Sequence, residues 1–230
     1  MRKLLLSISM LFVGTTFSMA STLFEDAFNS ESSLSNWDIV TGTWKVEGGE
    51  LHGKGAGQSI DGWIYAGDTN WGDYAFETTA HLLNGNADIV FRSTGHWINE
   101  YRLTLFSEFG PTYSNTFALG KYLNGKGSAI SNGNESSPVP ITGTVNVKVV
   151  SVGDNLQGFI NDQKIFEYVD NEPLRNGRIG LGVIWNLENT FDNVVVSDLK
   201  PNVVPEPASM LLFGVGGLAM VFIRNKKKFS

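Results

Sequence analysis

Through the middle of the chain, β-branched and aromatic side chains alternate with polar ones in short runs, the period-two signature of half-buried strands. The pattern predicts strands over residues 23–28, 44–47, 50–54, 63–65, 74–82, 88–92, 100–106 and 112–122. It continues with 144–152, 156–160, 164–168, 178–185 and 191–199. The run Thr144-Val145-Asn146-Val147-Lys148-Val149 places valine on one face and polar groups on the other, as a sheet with one wet side requires. Turn residues separate the runs. Glu47-Gly48-Gly49, Gly153-Asp154-Asn155 and Asn161-Asp162 supply Gly and Asn, which accept positive φ. No amphipathic helix interrupts the series, so the prediction is an all-β fold: a two-sheet antiparallel β-sandwich of jelly-roll type. Residues 125–140, rich in Gly, Ser, Asn and Pro, are expected to form a long surface loop.

The two ends of the chain follow other patterns. Met1-Arg2-Lys3, the apolar stretch 4–13 and Ser18-Met19-Ala20 give the basic, greasy and small order of a secretory signal peptide, removed by signal peptidase after Ala20. Its apolar stretch is far shorter than the roughly 20 residues of a spanning helix. At the other end, 200–207 reads as a linker, because Pro205 and Pro207 bracket Glu206 and neither continues a helix or ladder. Residues 208–223 carry no charge and read as a single transmembrane helix about 24 Å long, a short span for a core of roughly 30 Å. Residues 224–230 hold Arg224, Lys226, Lys227 and Lys228, a cytoplasmic flank by the positive-inside rule. This leaves 21–199 as one exported sandwich domain facing the periplasm.

Charge sharpens that division. With the basic residues of both ends set aside, 21–203 keeps 11 basic against 22 acidic residues, a formal charge of −11. Such a domain repels nucleic acid, whose phosphates need clustered Lys and Arg. The absence of cysteine excludes thiol catalysis, thiolate metal sites and a disulfide scaffold.

Five segments recur in a familiar order: 44–51 (WKVEGGEL), 71–77 (WGDYAFE), 86–92 (NADIVFR), 177–181 (GRIGL) and 191–196 (FDNVVV). Together they resemble the concanavalin A-like, laminin G-like jelly rolls, in particular the 3-keto-disaccharide hydrolase, family-16-like branch. The tail from Val204-Pro205-Glu206-Pro207 onward resembles the PEP-CTERM sorting signal of Gram-negative bacteria. That resemblance implies an exosortase as processing partner, an inner-membrane stage, and delivery to the cell surface or extracellular matrix.

Hydrolysis of the glucanase type asks for the pattern Glu-x-Asp-x-x-Glu, which this sequence lacks. Glu77 stands alone, and Glu100 and Glu108 are too far apart along a strand. His52, His81 and His96 lack the spacing of metal ligands in one segment; His52 and His81 read as strand-surface residues. Binding fits better, because a sugar site wants an aromatic platform beside amide or charged groups. Trp63, Tyr65, Arg92, Trp97, Tyr101, Trp185 and Asn186 are the residues expected to provide it, whereas Trp37, Trp44 and Trp71 read as core. The resemblance also implies a structural calcium on Glu25, Asp26 and Asp192, against the alternative that Asp192 and Asn193 only turn the strand. The expectation is a surface or matrix protein that binds exopolysaccharide; the alternatives are a glycan-acting hydrolase and a structural envelope protein.

Overall fold

The computed structural model describes residues 21–83, 85–107, 114–131 and 134–199. The predicted signal peptide, the Val204-Pro205-Glu206-Pro207 box, the apolar span 208–223 and the basic end lie outside them, as does Glu108. The strands are β1 (Thr22–Asp26), β2 (Trp37–Thr41), β3 (Thr43–Glu47), β4 (Glu50–Lys54), β5 (Gly62–Ala66), β6 (Tyr74–Leu82), β7 (Ala87–Gly95) and β8 (Asn99–Phe106). They continue with β9 (Thr116–Leu123), β10 (Lys126–Ala129), β11 (Glu135–Ser136), β12 (Gly143–Val152), β13 (Asn155–Ile160), β14 (Gln163–Val169), β15 (Arg178–Val183) and β16 (Glu188–Asp198). One 3-10 turn, Glu31–Asn36, precedes β2.

Two antiparallel sheets result. The first runs β14-β13-β12-β6-β16-β4-β3, with β1 on the second half of β16; the second runs β10-β9-β8-β7-β15-β5-β2, with β11 on β9. Their inner faces share one core, in which Trp44, Leu51, Phe76, Val147 and Phe191 of the first sheet meet Ile64, Ile89, Phe91, Leu103 and Leu181 of the second. The alternation predicted for β12 holds, with Val145, Val147 and Val149 buried. The two-residue hairpin at Asn161 (φ 48) and Asp162 (φ 63) has positive φ at both positions, as its sequence implied.

Three differences from the sequence reading have local causes. Strand β2 escaped because only Trp37 of its five residues is buried. Strand β10 lies inside the expected loop 125–140: it has no buried side chain, and its ladder with β9 alone makes it a strand. In β16 the buried positions Phe191, Val194 and Val196 break strict alternation, because a bulge at Asp192 and Asn193 (φ 51) inserts an extra residue.

Candidate functional site

The outer face of the second sheet carries an unusual set of side chains. Along β8, Tyr101, Leu103 and Leu105 enter the core, so the intervening Glu100, Arg102 and Thr104 face outward. The same logic puts Asp88 and Val90 of β7, Trp63 and Tyr65 of β5, and Ala118, Gly120 and Tyr122 of β9 on that face. Between β7 and β5 lies β15, whose outward positions include Gly180 and Gly182. A Cβ on Gly180 would stand 2.7 Å from the Tyr65 ring, and one on Gly182 would stand 2.4 Å from the Trp63 ring. These glycines give the two rings room to lie flat across the sheet.

The connection from β7 to β8 then folds back over the face. Trp97 holds the turn with φ 59, and Ile98 donates its N–H to the Gly95 carbonyl (3.0 Å). The turn brings His96 to within 5.3 Å of Trp63 and Trp97 to within 5.0 Å of Tyr122, measured between ring centroids. The Arg102 guanidinium is enclosed by three of these rings, its carbon 4.1 Å from the Trp63 centroid, 4.7 Å from Tyr122 and 4.9 Å from Trp97.

Glu100, fully buried beside it, accepts hydrogen bonds from Arg102 Nη2 (2.6 Å), the Tyr65 hydroxyl (3.0 Å) and Ser93 Oγ (3.3 Å). Burial, and then the charge of Glu100, push the Tyr65 phenol far above its ordinary pKa, so it remains a donor. Its proton is used on Glu100, so its contact with His96 Nδ1 (2.9 Å) must be donated by the ring. The imidazole is thereby fixed as the Nδ1–H tautomer with a lone pair at Nε2. Burial, and then the Arg102 charge, hold His96 down at about 4, so the ring is neutral at physiological pH.

Asp88, also buried, accepts a hydrogen bond from Thr104 Oγ1. Burial, reinforced by the nearby Asp61 and Glu100, pushes its carboxyl up to about 6 against the opposing influence of Arg102. A folded pKa above the unfolded one means that Asp88 costs stability once it ionises, on the order of 3 kcal/mol in full. The stability gain of Asp88→Asn over wild type, measured by urea denaturation, should therefore grow as pH rises through about 4 to 6. A constant difference across that range would show that the carboxyl is not perturbed.

Arg102 Nε is buried without a hydrogen-bond partner, and beside the guanidinium lies a hollow of about 290 Å³. The hollow is lined by Thr104, Ala118, Gly120, Tyr122, Gly127 and Ser128, among others, near the lower end of the roughly 300–1,000 Å³ typical of small-ligand sites. The face thus offers a fixed cation, a carboxyl poised near neutrality, an imidazole lone pair and one part-exposed indole, since Trp97 is 40% exposed. Both carboxyl groups of the face are engaged: Asp88, opposite Thr104, holds that hydroxyl, and Glu100, four residues further along β8, holds Arg102, Tyr65 and Ser93.

The expected binding residues therefore divide. Trp63, Tyr65 and Trp97 come together on this face, although Trp63 and Tyr65 are buried walls rather than open platforms. Arg92 and Tyr101 are corrections. Arg92 turns inward at a bulge (φ 50), and Tyr101 belongs to the core face of β8, where its hydroxyl meets Asp170 (2.5 Å). Trp185 and Asn186 lie beyond the end of β15, which stops at Val183 rather than at the predicted residue 185. Sequence reasoning missed Asp88, Glu100, Arg102, Thr104, Tyr122 and the role of His96, although the alternation in Glu100-Tyr101-Arg102-Leu103-Thr104 carries the signal.

At the expected calcium position, Asp26 accepts from Phe28 N (2.9 Å) and Trp37 Nε1 (3.1 Å), while the Asp192 carboxylate caps Asn193. Among the described residues no group of three or more acidic or histidine side chains is placed to hold a metal ion.

Comparison with known families places the chain as a whole. Residues 23–197 match the family described as the 3-keto-alpha-glucoside-1,2-lyase-like domain. The chain belongs to that family. Residues 203–228 of this lyase-like protein match the PEP-CTERM protein-sorting motif, which implies an exosortase as processing partner and export with sorting to the cell surface. No curated protein matches the chain. Among solved structures, the lyase-like domain resembles a carbohydrate-binding module from Bacillus subtilis at 22% identity and TM-score 0.59, over 70% of this chain and 95% of the other. It also resembles a Bacillus subtilis protein of unknown function with a galectin-like fold at 14% identity and TM-score 0.64, over 80% and 98%. An endo-acting O-glycanase structure from the human gut microbiota aligns at 14% identity and TM-score 0.59, over 78% and 100%. At such identities these likenesses establish the shared jelly-roll fold.

Proposed function

We propose that the outer face of the second sheet binds carbohydrate, and that the sorted protein uses it to hold exopolysaccharide at the cell surface. The observation that carries this reading is Arg102, a guanidinium locked in an aromatic cage with an unpartnered buried Nε next to a sugar-sized hollow. A sugar hydroxyl or carbonyl supplies the missing acceptor, Tyr122 and Trp97 meet apolar C–H faces, and Thr104 and His96 Nε2 take further hydroxyls. The module from Bacillus subtilis, a carbohydrate-binding protein on the same fold, supports the assignment. In the route we propose, residues 1–20 are removed on export, the span 208–223 holds the protein in the inner membrane facing the periplasm, and exosortase then releases or transfers it.

A second reading is favoured by Asp88. A buried carboxyl that titrates near 6, on the strand beside the Arg102 guanidinium, pairs a base with an electrostatic stabiliser, as proton abstraction next to a sugar carbonyl would need. The family description points to such keto-glucosides. A glycan microarray probed with the full-length protein in a non-glycosidic detergent tests the primary proposal. Retention on one or more glycans is expected, whereas no retention on any of them would refute it. Release of sugar from a retained 3-keto-glucoside would establish the second reading in addition.

A further inference from the structure

A second feature lies off the end of the groove, in the loop after β15. Trp185 has left-handed backbone (φ 57), as does Ser59 (φ 70) on the neighbouring connection between β4 and β5. Two non-glycine residues in this region are costly enough that the surroundings must impose them. Here they do: Trp185 N donates to Asp61 Oδ1 (2.9 Å), and a Cβ on Gly55 would come within 1.6 Å of the Trp185 carbonyl oxygen. The two loops are therefore seated against each other at backbone distance.

This seating holds the Trp185 indole half in solvent, at 50% exposure, over an open hollow of about 360 Å³ lined by Gln58, Ser59, Asn186 and Leu187. The core, which takes up Trp37 and Trp44, makes no use of this ring. An exposed indole flanked by two carboxamides and a hydroxyl is the chemistry that meets a sugar ring: the apolar face stacks, and the amides take hydroxyls. The hollow stands off the end of β15, one strand beyond β7 in the sheet that carries the groove. Gly182 pairs with both Asp88 and Trp63, and Trp185 is three residues further on, about 10 Å along the chain. Asp61, which anchors the loop, is two residues before Trp63.

We infer that the Trp185 hollow is a second sugar-contacting point continuous with the Arg102 groove, so that the protein takes a glycan chain rather than a single sugar residue. The inference rests on the carbohydrate reading of the groove. A microarray carrying length series of gluco- and galacto-oligosaccharides, from monosaccharide to hexasaccharide, separates the two. Four full-length proteins are compared: wild type, Trp185→Ala, Trp185→Phe, and the groove variant Glu100→Gln with Arg102→Met, which removes a buried ion pair without leaving either of its two charges alone.

Wild type should bind the longer members about tenfold more tightly than the shortest, one stacked ring being of this order. Trp185→Ala should lose that length dependence while still binding the short members, Trp185→Phe should restore it, and the groove variant should bind none. If Trp185→Ala keeps the full length dependence while the groove variant binds nothing, the second contact point is wrong and the groove stands. If wild type binds no member, or the groove variant binds like wild type, the groove reading fails and this inference fails with it.

Discussion

Arg92→Ala should lower the unfolding free energy by about 3–5 kcal/mol, the cost of removing one partner from a buried charge network. Arg92 is fully buried, and its guanidinium donates to the carbonyls of Gly153 (2.7 Å) and Leu174 (2.7 Å) and to Asp73 (2.9 Å). One side chain thus ties the β12–β13 turn of the first sheet to the segment that crosses into β15 of the second. The neighbouring contacts are equally close, since a Cβ on Gly177 would lie 2.1 Å from the Arg92 carbonyl carbon. Alanine would leave two carbonyls without their donor and the Asp73 carboxylate with Gly153 N as its remaining one. A domain with about 5–15 kcal/mol of stability would then be close to its limit. Urea denaturation measures the effect, and Arg92→Lys should recover only part of it, because one ammonium does not span three acceptors in fork geometry. A loss below about 1 kcal/mol would mean that the crossing segment holds without this residue.

The second large effect concerns binding. Losing the Arg102 guanidinium, in the paired Glu100→Gln, Arg102→Met variant, should weaken glycan binding by about 100-fold or more, as expected for a charged donor in a desolvated pocket. The paired change matters because Arg102→Met alone strands a buried Glu100 carboxylate and confounds binding with folding. At about pH 5, where Asp88 is protonated and needs no counter-charge, the melting temperature of the paired variant should stay near that of wild type, since the introduced glutamine still accepts from Tyr65 and Ser93 and the introduced methionine still fills the cage. Binding reduced only in proportion to lost stability would show that Arg102 serves the fold and not a ligand.

How far the sequence foretold this molecule depends on what the alternation reports. Period two states which face a residue lies on only where the other face is apolar, and it was clear in β12 and β6, whose inward valines, alanines and phenylalanines mark the core. It was silent in β2 and β10, edge strands defined by backbone pairing with almost no buried side chain. The same limit applied to the site. Trp63, Tyr65 and Trp97 stand out in the sequence as aromatic, but a ring's identity does not reveal whether another residue covers it, and Arg102 does cover Trp63. Arg92 looked like the end of a strand and therefore exposed; the bulge that turns it inward depends on the close passage of Gly177, a contact across a long stretch of chain. The groove itself was readable in part. Once Tyr101, Leu103 and Leu105 were assigned inward, Glu100, Arg102 and Thr104 had to share the outer face. Their meeting with Asp88 and His96 needed the register of β7 on β8 and the return of the 94–98 turn, neither of which a single sequence specifies.

That the Arg102 groove is a carbohydrate site is tested most directly by isothermal titration. The glycan best retained on the array is titrated into wild type and into the Glu100→Gln, Arg102→Met variant, both checked for matching melting temperatures. Saturable binding to wild type with at least about 100-fold weaker binding to the variant is the predicted result. Equal affinities for two proteins of equal stability would contradict it.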